Sequence, residues 1–263
     1  MNGRHTGSGF VVSSDGFILT NRHVGAAWRT RFEFPRDNPL YQFGVVFSAD
    51  KRRPIYVGRM QPPFDWVPAE TQQEGISGTF EGQNDILDVA FPNSEQRIPA
   101  KLVRVSDRHD VAMLKIDVPE AVPKVELNDN YDTIKPGDTA IVMGYPSVSP
   151  PVVGIIKSED AFNRQPKVKL IPDPTIAVGN IGRILRSKDQ PSDKDLIYSL
   201  IGDAYQLQIN TTGAGNSGGP VFDDRGRVIG IFYAGSAAGG ASVTFAVPIR
   251  YGKQLMSVGA ASN

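Results

Sequence analysis

The chain has 263 residues, of which 40% are hydrophobic, so it can bury one large core or two modest ones. Its 28 basic residues balance its 28 acidic residues, so the net charge gives no indication of a basic surface for nucleic acid or an anionic membrane. The absence of cysteine excludes disulfides, thiolate metal sites and a cysteine nucleophile.

Short strand-like runs bounded by glycine and proline recur along the chain and favour an all-β protein. The first two, Phe10–Ser13 and Phe17–Thr20, flank Ser14-Asp15-Gly16 and predict a β-hairpin. Helical periodicity is confined to one turn at His23–Trp28 and a short terminal helix at Arg250–Val258. The other predicted strands are Gly44–Phe47, Ile55–Val57, Ile86–Phe91, Lys101–Val105, Val111–Ile116, Thr139–Met143, Val152–Ile156, Lys167–Ile171, Ala177–Leu185, Tyr205–Asn210, Val221–Phe222, Val228–Tyr233 and Ser242–Val247. So many short strands predict barrels or sandwiches.

A proline-rich segment divides the chain. It predicts an N-terminal β-barrel over residues 1–122, a linker over 123–135 and a C-terminal β-barrel over 136–263. A polar insertion of about residues 29–84 is expected to be a solvated surface loop. No apolar run is long enough to span a membrane, and we expect no signal peptide in this chain.

One serine lies among glycines between two apolar runs. The stretch reads Thr212-Gly213-Ala214-Gly215-Asn216-Ser217-Gly218-Gly219-Pro220. Glycines let the backbone adopt positive φ and bring N–H groups close to a reacting carbonyl. We therefore predict Ser217 as a nucleophile, with the backbone N–H groups of Gly215 and Ser217 as an oxyanion hole.

A hydroxyl nucleophile requires a base and a group that orients the base. Among the histidines, His23 lies at a strand end, a rigid position suited to catalysis, whereas His109 is expected in a surface loop. Asp107 and Asp110 are both candidate orienting carboxylates. We prefer Asp110, because the apolar run that begins directly after it would bury its carboxylate.

Five blocks in this order resemble the protease domain of the HtrA/Deg serine proteases, within the trypsin-like superfamily. They are Gly7-Ser8-Gly9-Phe10-Val11-Val12, Leu19-Thr20-Asn21-Arg22-His23-Val24, Asp110-Val111-Ala112-Met113-Leu114-Lys115, Gly215-Asn216-Ser217-Gly218-Gly219-Pro220 and Thr244-Phe245-Ala246-Val247-Pro248-Ile249. The resemblance implies two antiparallel six-stranded β-barrels, the trypsin-like double barrel, with the triad in the cleft between them.

The resemblance further implies a serine endopeptidase that cleaves unfolded or flexible polypeptides through an acyl-enzyme. It implies no cofactor and no metal, a periplasmic or extracytoplasmic location, and a homo-oligomer. No PDZ domain is visible in the sequence. Asn216 stands where digestive relatives have an aspartate, which implies that a freed N-terminal amine does not activate the enzyme.

The specificity pocket is expected to involve Thr211 and Thr212, which precede the nucleophile. The resemblance places Thr211, six residues before the serine, where trypsin-like enzymes have a charge at the floor of the P1 pocket. Because Thr211 carries no charge, the P1 residue is predicted to be small to medium and apolar. Phe232, Tyr233 and Ala234 are expected to pair with the substrate backbone as an added strand. Two alternatives remain open: a protein-binding or chaperone-like module with an unassembled triad, and a related trypsin-like exopeptidase.

Overall fold

The computed structural model describes residues 6–26, 44–47, 54–58, 83–94, 96–128, 130–147, 149, 152–156, 167–186, 203–209, 213–238 and 241–257. The strands in chain order are β1 (Phe10–Ser13), β2 (Phe17–Thr20), β3 (Gly44–Phe47), β4 (Pro54–Gly58), β5 (Asp88–Ala90), β6 (Arg97–Val105), β7 (Ala112–Ile116), β8 (Glu126–Leu127), β9 (Thr139–Gly144), β10 (Val152–Ile156), β11 (Lys167–Ile171), β12 (Thr175–Leu185), β13 (Ala204–Gln208), β14 (Pro220–Phe222), β15 (Arg227–Ala238) and β16 (Ala241–Pro248). The helices are α1 (Arg22–Gly25) and α2 (Ile249–Ser257), with a 3₁₀ turn at Tyr131–Thr133.

The chain divides into two compact units. Residues 1–5 and 26–83 form the first unit, in which β3 and β4 pair as an antiparallel hairpin. Residues 6–25 and 84–263 form the second unit, which contains every residue of the predicted triad. The two strands that the sequence predicts inside the insertion are therefore present.

The N-terminal half of the second unit is a curled sheet of five described strands in the order β1-β2-β7-β6-β5. The predicted hairpin is present, with Phe10 opposite Leu19 and Val11 opposite Ile18. Strand β7 is central, and its side chains are buried on both faces, because Met113 packs into one apolar cluster and Leu114 and Ile116 pack into another. Within the described residues β1 and β5 are open edges, so this half is a half-barrel where the resemblance implied six strands.

The C-terminal half is a closed six-stranded barrel. Its strands follow the order β14-β9-β12-β13-β16-β15, and pairing between β14 and β15 closes the ring. Large side chains fill the interior, among them Tyr205, Leu207 and Ile229, each at most 1% exposed. Strand β8 adds to β15 in parallel at Arg227 and Val228. The predicted all-β class is confirmed, as a barrel plus a half-barrel.

Helix α2 ends the described chain and packs on the core with Ile249, Tyr251 and Leu255. Arg104 of β6 donates to the carbonyl oxygens of Leu255 and Met256 at 3.0 and 2.9 Å, which satisfies two acceptors at the helix C-terminus. This helix is the one predicted at Arg250–Val258. Among the described residues, no helix has the length and apolar character needed to cross a membrane.

Candidate active site

The segment after β2 is attached to the loop before β7 through the consecutive residues Asn21, Arg22 and His23. Asn21 Nδ2 donates to the carbonyl oxygen of Asp110 at 2.8 Å. Arg22, buried at 9% exposure, donates from one guanidinium nitrogen to the carbonyls of Ser106 and Asp107, both at 3.0 Å. These contacts hold α1, and with it His23, against the loop that ends at Asp110.

His23 and Asp110 share two hydrogen bonds. The imidazole Nδ1 lies 2.7 Å from Asp110 Oδ2, and the backbone N–H of His23 donates to Asp110 Oδ1 at 2.9 Å. Both oxygens of one carboxylate thus contact His23, which fixes the orientation of its imidazole. Nε2 is the ring nitrogen that Asp110 does not contact. The rival carboxylate Asp107 is exposed, and its backbone carbonyl accepts a hydrogen bond from Arg22.

The turn that carries Ser217 depends on two glycines with left-handed backbone. Gly215 has φ of +101°, and a Cβ there would lie 2.2 Å from the carbonyl oxygen of Tyr145. Gly218 has φ of +89°, and a Cβ there would lie 2.1 Å from the carbonyl oxygen of Ser8. Both the conformation and the close approach exclude any other residue without rearrangement.

Hydrogen bonds fix each peptide plane of this turn. The carbonyl of Ala214 accepts from Ser147 N–H at 2.7 Å, and that of Asn216 accepts from Gly219 N–H at 2.9 Å. Since these peptides are trans, the N–H groups of Gly215 and Ser217 point away from those contacts. Within the described part of the chain, neither N–H donates a hydrogen bond. They are therefore available to an external acceptor.

The Ser217 hydroxyl donates to the carbonyl oxygen of Tyr233 at 3.3 Å, at the edge of hydrogen-bond range. Among described side chains there is no hydrogen bond between Ser217 and His23. Burial, followed by the negative charge of Asp110, raises the pKa of the Tyr233 phenol. Tyr233 thus contacts the predicted nucleophile through its backbone and lies within electrostatic range of the predicted orienting carboxylate.

The other predicted substrate contacts have different environments. Phe232 is 2% exposed, and its backbone N–H and carbonyl are bonded to Gly219 and Gly218 at 2.9 and 2.8 Å. Ala234 lies on β15 opposite Phe245 of β16. Thr211 and Thr212 lie outside the described residues.

Of two further side chains near the site, one is buried and the other is partly buried. Asn216 is 2% exposed, and its Oδ1 has no hydrogen-bond partner among the described residues. His109, expected on the surface, is only partly exposed and stacks on Tyr251 of α2 with ring centroids 3.4 Å apart. Burial lowers the pKa of His109 to about 4. Its neighbour in sequence, Asp110, faces His23 instead.

Sequence reasoning missed Arg22 and Ser8 as parts of this site. Ser8 donates from its hydroxyl to the Gly215 carbonyl at 2.7 Å and from its N–H to the Ser217 carbonyl at 2.7 Å. The partners of Arg22 and Ser8 are backbone carbonyls that lie 84 and 207 residues away in sequence. The sequence held one signal for Ser8: the glycines on either side of it indicate that other backbone approaches closely at this point.

A family model described as a trypsin-like peptidase domain matches residues 7–231. A protein named as a DegP-like periplasmic serine endoprotease of Marinomonas sp. strain MWYL1 is 27% identical over 255 residues, which are 96% of this chain and 34% of the relative. A serine protease named HhoB, from Synechocystis sp. strain PCC 6803, is 25% identical over 245 residues, 93% of this chain and 38% of the relative. The chain thus spans about a third of the length of these curated relatives.

The fold is also similar to solved structures. One is the HtrA-type protease AlgW with decapeptide, at a TM-score of 0.56 and 21% identity over 97% of this chain and 52% of that chain. At this identity the likeness concerns the fold, and it confirms the predicted trypsin-like fold class.

Proposed function

We propose that this chain, which belongs to the trypsin-like peptidase family, is a serine endopeptidase acting on unfolded or flexible polypeptides. The relatives that it matches over most of its length are HtrA/DegP-like serine proteases. Ser217 is the nucleophile, His23 the general base and Asp110 the group that orients the imidazole. The observation that carries the proposal is that the Asp110 carboxylate hydrogen-bonds both the imidazole Nδ1 of His23, at 2.7 Å, and its backbone N–H, at 2.9 Å. It leaves Nε2 as the proton acceptor.

Peptide hydrolysis at this site has two stages, acylation of Ser217 and hydrolysis of the acyl-enzyme. Ser217 Oγ bonds to the scissile carbonyl carbon and its proton passes to His23 Nε2, while the carbonyl electron pair moves onto oxygen. The N–H groups of Gly215 and Ser217 stabilise that oxyanion. The C–N bond then breaks, the amine leaves with the proton from His23, and water hydrolyses the acyl-enzyme by the same route.

The substrate backbone pairs with β15. Phe232 uses its backbone groups within the protein, so the carbonyl of Tyr233 is the acceptor offered next to Ser217. A substrate N–H that binds this carbonyl displaces the Ser217 hydroxyl, which then turns to His23. Ala234 continues the pairing. The P1 preference for a small to medium apolar residue remains a prediction from Thr211.

Cleavage of unfolded casein tests the proposal. Wild-type protein is expected to produce internal peptides, and Ser217→Ala is expected to lose this activity by several orders of magnitude because the nucleophile is gone. A fluorophosphonate probe should label wild type at Ser217 and leave the variant unlabelled. Ser14→Ala, which alters an exposed serine, serves as the matched control and should cleave normally.

The alternatives have their own signatures. A binding or chaperone-like module would neither cleave nor take up the probe, although it would bind unfolded casein. An exopeptidase would release single residues or short peptides of constant length from a peptide ladder. Either result contradicts an endopeptidase, and labelling at a residue other than Ser217 contradicts the nucleophile assignment.

A further inference from the structure

A buried serine just before β1 contacts the Ser217 turn at two points. Ser8 is 6% exposed, unusual for a serine, which is mostly a surface residue. Its hydroxyl donates to the carbonyl of Gly215 at 2.7 Å, and its backbone N–H donates to the carbonyl of Ser217 at 2.7 Å. Both acceptors belong to the turn that offers the N–H groups of Gly215 and Ser217.

Ser8 is itself held from two other segments. The hydroxyl of Thr20, at the end of β2, donates to the Ser8 carbonyl at 2.7 Å. The N–H of Tyr145, just after β9, donates to Ser8 Oγ at 3.1 Å. Because Ser8 Oγ accepts from Tyr145, its single proton is directed to Gly215. Four hydrogen bonds thus join the half-barrel, the barrel and the turn at one buried residue, two through its hydroxyl and two through its backbone.

The carbonyls that Ser8 holds alternate with the two N–H groups that an oxyanion needs. Ser8 donates to the carbonyls of Gly215 and Ser217. The N–H groups of Gly215 and Ser217 belong to the preceding peptides, whose carbonyls accept from Ser147 and Gly219. Glycine at 215 permits several backbone conformations and selects none of them. The bond from Ser8 to the Gly215 carbonyl therefore helps to select one conformation, beside the bond from the Asn216 N–H to the Gly213 carbonyl at 3.2 Å.

We infer that Ser8 is a positioning residue that locks the Gly215–Ser217 turn in the conformation that binds the oxyanion, an inference that rests on the proposed function. Without its hydroxyl, the Gly215 carbonyl loses its donor, and the peptide after Gly215 keeps only the bond from the Asn216 N–H to the Gly213 carbonyl at 3.2 Å. The backbone at Gly215 is then held less firmly, and its N–H is aimed less precisely at the oxyanion position. Oxyanion stabilisation depends on donors held in place before the reaction, so the loss affects the transition state more than substrate binding.

The test compares wild type with Ser8→Ala. We expect kcat on casein-derived peptides to fall about tenfold to a hundredfold, less than the effect of removing an oxyanion donor outright, with KM nearly unchanged. Reaction with a fluorophosphonate should slow in parallel. In that reaction Ser217 Oγ bonds to phosphorus, its proton passes to His23, fluoride leaves, and the phosphonyl oxygen occupies the oxyanion position. The thermal midpoint should fall by only a few degrees, because two hydrogen bonds of the Ser8 hydroxyl are lost while the two backbone contacts of Ser8 remain.

Three companion variants make the result specific. Ser8→Thr keeps a hydroxyl and should retain most of the rate. Thr20→Val removes the bond to the Ser8 carbonyl and should lower kcat in the same direction, which keeps the test available if Ser8→Ala does not fold. Ser13→Ala, at the far end of β1, should be unchanged. A phosphonylation rate that follows only the thermal midpoint across these variants would show a purely structural role and overturn the inference.

The outcomes separate this inference from the proposed function. Wild type that neither cleaves nor takes up the probe contradicts the endopeptidase itself. Active wild type with an equally active Ser8→Ala contradicts only the role of Ser8.

Discussion

At the scale of single residues, the orientation of His23 depends on the charge of Asp110. In Asp110→Asn an amide replaces one carboxylate oxygen, and its NH₂ group would require the imidazole Nδ1 to be an acceptor. That tautomer places the proton on Nε2, where the base must be free. We expect kcat to fall by about 10⁴-fold while the fold is kept, measured by peptide hydrolysis and by thermal melting.

Asp107→Asn is the matched control for this prediction. Asp107 belongs to the same loop and is exposed, so its variant should cleave at the wild-type rate. The opposite pattern, with loss of activity in Asp107→Asn alone, would transfer the orienting role to Asp107.

At the scale of elements, the tight turn between β14 and β15 closes the barrel, and Asp223 organises it. Its carboxylate accepts from the backbone N–H of Arg225 and Arg227 at 3.0 and 2.8 Å, from Arg227 Nε at 3.0 Å and from Asn128 Nδ2 at 3.2 Å. Burial raises the pKa of Asp223, but these hydrogen bonds, chiefly from Arg227, outweigh it, and the net pKa lies below the usual value. Asp223→Ala should cost about 2 kcal/mol in urea unfolding. Asp224→Ala, one residue along and exposed, should cost little.

The elements also show what a sequence can and cannot predict. Strands β1 and β2 were predictable because a tight turn and apolar runs specify a hairpin locally. Strand β8 was missed, since two residues within a proline-rich linker carry no pattern and pair with β15, about a hundred residues later. The pairing of His23 with Asp110 was predictable from residue chemistry, and their catalytic roles stay predictions. The contact of Ser8 with Gly215 was not predictable, because it joins residues 207 positions apart.

At the scale of the whole molecule, the half-barrel and the C-terminal helix meet where His109 stacks on Tyr251, with ring centroids 3.4 Å apart. Arg250, next to Tyr251, pairs with the fully buried carboxylate of Asp203 and lies over the ring of Tyr131, 4.0 Å from its centroid. Burial lowers the pKa of His109 to about 4, the charge of Asp203 opposes this, and Arg250 adds to it. His109 is therefore packed here as a neutral ring.

This contact makes stability depend on pH in a defined window. Between pH 6.5 and about 4 the unfolded chain protonates His109 while the folded chain does not, so acidification through this range should destabilise the protein. The expected loss is about 2 kcal/mol after allowance for partial solvent exposure. His109→Phe keeps an aromatic ring against Tyr251 and cannot titrate. The free energy of unfolding in urea, plotted against pH, should run parallel for wild type and His109→Phe above pH 7 and diverge below pH 6.5. The two proteins share every other titrating group, so the contributions of those groups cancel in the difference. Curves that stay parallel down to pH 4 would mean that His109 is accessible to protons in the folded protein, and that the junction between half-barrel and helix is open.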